Sequence, residues 1–290
     1  MTEPCDLSAV DARVAISARQ LSPVELTESC LERIDELNPT LNAMVTVAAE
    51  SALEDARRAE DAVANGREEG LLHGLPIAIK DLQATKGIVT TYGTSFYSDH
   101  VPTEDAGIVA RIRAAGGIVI GKTNIPEMSI GANTINRLFG ATGNPYAPEL
   151  TCGGSSGGSA VAVATGMAAL ATGSDHGGSL RIPACFSGVV GHRATPGTVP
   201  HESRTITQTN YSLQGPMGRT VDDVALLLAA ISTRDRASRQ DPMSFPLDSL
   251  SFLDRTTQSV DGLRIGVTAD FGGLLVSNHV RREFEDRVAY

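Results

Sequence analysis

Residues 151–193, TCGGSSGGSAVAVATGMAALATGSDHGGSLRIPACFSGVVGHR, constrain the fold more than any other stretch of the chain. Two loops of glycine and serine, at 153–159 and 177–179, bracket an apolar segment that carries no charge between Ser159 and Ser174. Glycine turns the backbone at positive φ and lets it approach a ligand closely. Two such loops joined by a buried helix therefore present N–H groups and hydroxyls at one place. A flexible Gly/Ser linker would not be followed by a run of Ala, Val, Met and Leu that needs burying. A phosphate-binding loop needs Lys and then Ser or Thr after its last glycine, whereas Gly158 is followed by Ser159 and Ala160. Residues 153–157 also match G-x-S-x-G. That turn needs a buried strand leading into it, and residues 144–152 hold two prolines and Glu149 without alternation.

A third element supplies an amine. Lys80 ends the apolar run Leu75-Pro76-Ile77-Ala78-Ile79, which reads as a short buried strand over 77–80 that delivers the amine into the core. Ser179, Ser155 and Lys80 then provide a nucleophile, a relay hydroxyl and a base, one of the Ser/Lys variants of the nucleophile-plus-base arrangement. To act as a base, Lys80 must give up a proton that lysine ordinarily holds to about pH 10.4, and desolvation at an apolar strand end lowers that value. Asp81 points to the opposite face of an extended strand and need not pair with it. Lys122 is the other candidate base. The plainer readings are an ion-paired structural Lys80, turn hydroxyls at Ser155 and Ser156, and Ser179 as a cap on the 180–184 turn. The loop at 175–178 offers successive N–H groups, two of them on glycines, that suit a tetrahedral oxyanion.

In order and spacing these residues resemble the amidase signature family of Ser-cisSer-Lys hydrolases. The motifs that carry the likeness are Gly74-Leu75-Pro76-Ile77-Ala78-Ile79-Lys80-Asp81, Gly121-Lys122-Thr123-Asn124, Phe139-Gly140-Ala141-Thr142-Gly143-Asn144-Pro145, Gly153-Gly154-Ser155-Ser156-Gly157-Gly158-Ser159, and residues 173–184 around Ser179. The resemblance implies an amidohydrolase acting on carbon–nitrogen bonds of linear amides through an acyl-enzyme on Ser179. Lys80 would be the base and Ser155 the relay, chosen over Ser156 by its 24-residue interval to Ser179. It further implies a cis peptide bond between Gly154 and Ser155, and an oxyanion hole built from the backbone of His176, Gly177, Gly178 and Ser179. Ser156, Asp175 and Arg181 would support the site, the last two by pairing to hold the loop. His176 stands where the family usually has a small or apolar residue, and Arg193-Ala194 where many relatives read Lys-Pro. These departures bear on the pocket more than on the triad.

Members of that family are longer, so the chain is expected to lack a C-terminal portion and to be marginally stable or inactive alone. Two rival readings are a glutaminase subunit of a tRNA-dependent amidotransferase and an inactive truncated paralogue. Relatives of the first kind usually read Arg-Gln-Pro where this chain has Arg181-Ile182-Pro183. The partners expected are a small-molecule amide and either a second copy or a complementing C-terminal fragment.

With 41% apolar residues among 290, the chain can bury a large core. Its net charge of −10, with no basic cluster, disfavours nucleic acid, and no long uninterrupted apolar run suggests a membrane span. No His, Cys or carboxylate cluster has metal-ligand spacing, and no cofactor is expected. Cys5, Cys30, Cys152 and Cys185 lack any C-x-x-C and read as small buried hydrophobes, Cys152 and Cys185 falling in the site region. With no signal-like N-terminus, the reading is a cytoplasmic protein. Element order predicts a layered α/β fold with a mainly buried sheet, and the resemblance implies that this is a mixed central sheet flanked by helices. Within a single domain, residues 1–66 are read as a helical part and 67–290 as the α/β catalytic core. Expected helices include one from the Ser22-Pro23-Val24-Glu25 capping box to Asn38-Pro39, one over 48–65 and one over 224–231 behind Thr220; a last strand is expected at 263–267.

Overall fold

In a computed structural model, residues 3–67, 70–202, 209–232 and 241–289 are described. Residues 233–240, whose charged composition predicts exposure, lie outside them. Contacts divide the chain into two units, Met1–Thr256 and Thr257–Tyr290.

The first unit opens with α1 (Ala9–Ser17), α2 (Pro23–Leu41), β1 (Met44–Val47) and α3 (Ala49–Ala64). The α2 capping box forms as expected: the Ser22 hydroxyl accepts from Val24 N at 2.9 Å, and Glu25 takes the Ser22 N–H at 2.9 Å. The helix does not stop at Asn38-Pro39 but runs on to Leu41. Asn42, left-handed at φ 50°, ends it by donating its N–H to Asn38 O at 2.8 Å. The Asn38 side chain accepts from Ala43 N and Met44 N, both at 2.8 Å, so a proline in the final turn is tolerated and the helix end is stitched to β1. In α3 the buried stripe Ala52, Ala56, Ala59 and Val63 follows helical spacing.

Next come β2 (Pro76–Lys80), α4 (Gly107–Ala114), β3 (Ile118–Thr123), the short pair β4 (Ile135–Asn136) and β5 (Gly140–Ala141), α5 (Gly157–Ala164), β6 (Leu170–Asp175), α6 (Arg181–Ser187), β7 (Val190–Gly191), β8 (Leu213–Gly218), α7 (Val221–Ile231) and α8 (Ser251–Arg255). The main sheet has the order β1-β3-β2-β6-β8-β7. Its centre, β3, β2 and β6, is parallel, and β1, β8 and β7 join antiparallel, so the sheet is mixed and helix-flanked as expected. Every residue of β2, β3 and β6 is buried, which is why their sequences show no apolar/polar alternation. A capping box of Thr220 with Asp223 starts α7.

The apolar segment after Ser159 is not one helix. It divides into α5 and β6, with the chain turning at 165–169, so the two glycine–serine loops sit at the start of a helix and the end of the strand that returns from it. The entry to α5 is packed backbone to backbone. A Cβ on Gly158 would lie 2.4 Å from Asn124 N and 2.7 Å from Ala43 O, atoms of the main chain that cannot swing away.

In the second unit, α9 (Asn278–Ala289) buries no residue. Residues 263–267 form no strand, and Leu263, Ile265 and Val267 are exposed. Their alternation would suit a sheet edge, but no strand among the described residues pairs with them, and an extended segment without a ladder leaves its N–H and C=O groups to water.

Gly158→Ala is expected to cost about 3 kcal/mol of stability. A Cβ on Gly177 would meet nothing within 4 Å, so Gly177→Ala should leave stability nearly unchanged. Urea unfolding of the two variants checks the pair: equal midpoints would show that the α5 entry is not closely packed.

Candidate active site

The two loops touch directly. Ser156 N donates to Ser179 O at 3.3 Å, and the Gly154–Ser155 peptide bond is cis, as the resemblance implied. Thr134 braces the first loop: its N and Oγ1 donate to Gly153 O at 3.0 and 2.9 Å, and its Oγ1 accepts from Gly157 N at 3.0 Å.

Lys80 is fully buried at the end of β2, and its amine reaches three hydroxyls: Ser155 Oγ at 2.8 Å, Ser156 Oγ at 2.9 Å and Ser174 Oγ at 2.7 Å. No carboxylate among the described residues touches it. Burial pushes the ammonium from its ordinary 10.5 down to about 7, against an opposing pull from Asp175. Ser156 Oγ also accepts from Ser174 N at 3.2 Å and donates to Ser174 O at 3.3 Å, which ties the first loop to β6.

Ser155 Oγ has a second neighbour in Ser129, whose hydroxyl donates to it at 2.7 Å. Ser129 and Met128 adopt left-handed backbone, φ 61° and 50°, with Met128 N bonded to Tyr92 O and Ser129 N to Pro126 O, both at 2.8 Å. Ser179 is half-buried, and its hydroxyl makes no hydrogen bond among the described residues; it does not donate to Ser155 in this structure. Ser155 and Ser179 instead border one cavity of about 520 Å³, together with Ser129, Ser174, Gly177 and Ile182.

The turn that carries Ser179 is shaped by Asp175. This buried carboxylate accepts from Gly178 N at 2.8 Å and Leu180 N at 3.3 Å, and Arg181 clasps it through Nε at 2.9 Å and Nη2 at 3.1 Å. Burial alone would raise its pKa; Arg181 and the two N–H groups outweigh that and hold it at about 2. Arg193 adds a bond to Oδ1 at 3.1 Å and donates to Tyr211 O at 2.9 Å and Asn210 O at 3.2 Å, joining the chain before β8 to the Ser179 loop. One expectation for the oxyanion hole needs correcting. The Gly178 N–H is spent on Asp175, while those of His176, Gly177 and Ser179 make no hydrogen bond among the described residues.

Lys122 lies outside this cluster. Ile79 is its register partner, so its side chain leaves the sheet on the face opposite to that of Lys80, where it donates to Gln83 O, Thr85 Oγ1 and Thr90 Oγ1. Asp81 is on that side too, accepting from Thr91 Oγ1 and lying close enough to Lys122 to oppose its loss of a proton. The exposed His176 ring packs on Tyr211, centroids 5.7 Å apart, and makes no hydrogen bond to Ser179. Cys152 is buried, its thiol raised to about 11 by desolvation, whereas Cys185, expected to be buried, is exposed on α6. Among the described residues, no three His, Cys, Asp or Glu side chains converge as a metal site, and no helix is long and apolar enough to cross a membrane.

Two residues of the cluster went unread in the sequence. Ser174 had a signal, because Thr172 and Ser174 put hydroxyls at alternate positions of a buried strand. Ser129 had none.

The sequence model described as Amidase matches residues 25–289. The chain is 38% identical over 283 residues to one subunit of the glutamyl-tRNA(Gln) amidotransferase of Carboxydothermus hydrogenoformans, covering 97% of this chain and 58% of that protein. It is 39% identical over 266 residues to an acylamidase of Rhodococcus erythropolis, covering 92% of this chain and 55% of that protein. A bacterial aryl acylamidase of the amidase signature family superposes with a TM-score of 0.91 at 32% identity, over 98% of this chain and 58% of the other. The chain thus spans a little over half the length of the relatives it matches. Sequence and backbone agree along nearly all of it, and the chain belongs to the amidase signature family.

Proposed function

We propose that this chain carries the catalytic apparatus of an amidohydrolase that cleaves a linear carboxamide through an acyl-enzyme on Ser179. The observation that carries this reading is the Lys80 amine, buried among hydroxyls with its pKa brought to about 7. Such an amine is about half neutral at pH 7, and its neutral form can take a proton.

Hydrogen-bond polarity sets Ser155 apart from Ser156 as the hydroxyl that gives it. Ser156 spends its proton on Ser174 O, whereas Ser155 accepts from Ser129 and from the Lys80 amine, so its own proton is uncommitted and can pass to Lys80 once the amine is neutral. As Ser179 Oγ attacks the amide carbon, its proton passes to Ser155 while the Ser155 proton passes to Lys80. The carbonyl oxygen gains charge beside the unspent N–H groups of His176, Gly177 and Ser179. Collapse breaks the C–N bond, and the relay runs backward to protonate the departing ammonia or amine. A water activated by the same relay then releases the carboxylic acid and restores Ser179. The relay requires Ser179 to donate to Ser155 once substrate is bound, a contact of the kind that tightens in the Michaelis complex.

The rival reading, glutamine hydrolysis for an amidotransferase, draws on the likeness to the glutamyl-tRNA(Gln) amidotransferase chain. Ile182 speaks for the free-standing amidase, since it lines the Ser179 cavity with an apolar side chain where a relative of that kind offers an amide.

Ser179→Ala is expected to abolish ammonia release from amides and to prevent labelling by a fluorophosphonate probe. Lys80→Met should lower kcat/KM roughly a thousandfold; near-normal turnover in either variant would remove the triad. The pH profile supplies an independent check. Because only the neutral amine works, kcat/KM should fall about tenfold for each pH unit below about 7 and level off above it, and Lys80→Met should flatten that limb.

A further inference from the structure

Beside the Ser179 cavity lies a second of about 620 Å³, and Leu82, Met128, Ser174, His176 and Ser212 border both. Two glutamines line the second cavity alone, Gln83 and Gln214, 2% and 7% exposed. Each holds a buried polar atom with no hydrogen-bond partner among the described residues, Nε2 of Gln83 and Oε1 of Gln214. Buried amide groups are nearly always paired, because an unmade bond costs the full desolvation of the group. Two orphans beside a reaction cavity call for a ligand.

The orientation of Gln83 follows from its neighbour. Thr172 Oγ1 accepts the Lys80 backbone N–H at 3.0 Å and donates to Gln83 Oε1, which leaves the amide nitrogen of Gln83 as the end without a partner. Gln214 is the register partner of Ser174, so its side chain shares the sheet face from which Ser174 reaches the Lys80 amine. The occupant must accept a hydrogen bond from Gln83 and, with the Gln214 amide as it is placed, donate one to Gln214. A methyl group does neither. A carboxylate lacks the donor and would face Glu104 and Asp105, which border the same cavity. A neutral carboxamide offers both.

We propose that Gln83 and Gln214 form a subsite for a second carboxamide, so that the preferred substrate is a diamide with one amide group at Ser179 and the other in the adjoining cavity. This rests on the amidohydrolase reading above. Ammonia release is measured with aliphatic amides of matched length ending in methyl, carboxylate or carboxamide. The expected kcat/KM for the carboxamide-ended substrate exceeds that for the methyl-ended one by about tenfold or more, and Gln83→Met and Gln214→Met each reduce that ratio roughly tenfold. Equal rates on the two substrates, preference for the carboxylate, or variants that slow both while keeping the ratio would overturn the subsite. Equilibrium binding of the diamide to the Ser179→Ala chain separates the two claims. Gln83-dependent binding without cleavage of any amide by the wild-type chain would sink the hydrolase and keep the subsite. Amide cleavage without selectivity would do the reverse, and the lack of both would end both.

Discussion

The structure depends on an amine buried without a counter-charge. Moving an ammonium out of water is costly unless an anion or a full set of acceptors replaces the solvent. Lys80 meets three serine hydroxyls instead of a carboxylate, while Asp175, the acid whose charge reaches it, is committed to Arg181, Arg193 and two backbone N–H groups. Charging the amine is therefore costly, which brings its pKa down to about 7, and base chemistry follows from the arrangement of the core.

That arrangement needs strands buried on both faces. β2 lies between β3 and β6, so the end of β2 is shut off from water on both sides, and β6 contributes Ser174 at the adjoining position. The helix leaving the first loop must then come close enough for Ser156 to meet both Lys80 and Ser174. Gly158 permits this by letting α5 start against the backbone of residues 43 and 124. From the other side, Arg193 and Arg181 converge on Asp175, so the turn bearing Ser179 is held by charge-assisted bonds rather than by packing of its own small residues.

Much of this was legible in the chain because glycine, capping residues and apolar runs act locally. The α2 and α7 capping boxes, the strand at Lys80 and the pairing of Asp175 with Arg181 follow from short-range chemistry. What escaped depends on distant partners. The end of α2 does not follow from Pro39, because the side chain of Asn38 governs the exit. The run after Ser159 is apolar in both α5 and β6, and composition cannot separate a buried helix from a buried strand. Ser129 reaches Ser155 only through an unusual left-handed pair of residues, and the loss of the Gly178 N–H to Asp175 depends on a carboxylate three positions back folding over its own turn.

Lys122 shows why burial alone does not make a base. It is as deeply buried as Lys80, and desolvation lowers its pKa to about 7 as well, opposed by Asp81 and Asp105. Its partners differ in polarity. One is a carbonyl oxygen; the other two are threonine hydroxyls whose protons are spent, Thr85 on Gln83 O at 3.1 Å and Thr90 on Ile88 O at 3.2 Å. All three can only accept, so a neutral Lys122 would have one N–H too few and a lone pair with nothing to meet it. At Lys80, Ser155 accepts from Ser129 and has its own proton free to turn to the amine once Lys80 is neutral, so the neutral form can be complete. Of two equally dry lysines on opposite faces of one sheet, the hydroxyl with a proton to give marks out the one suited to be the base.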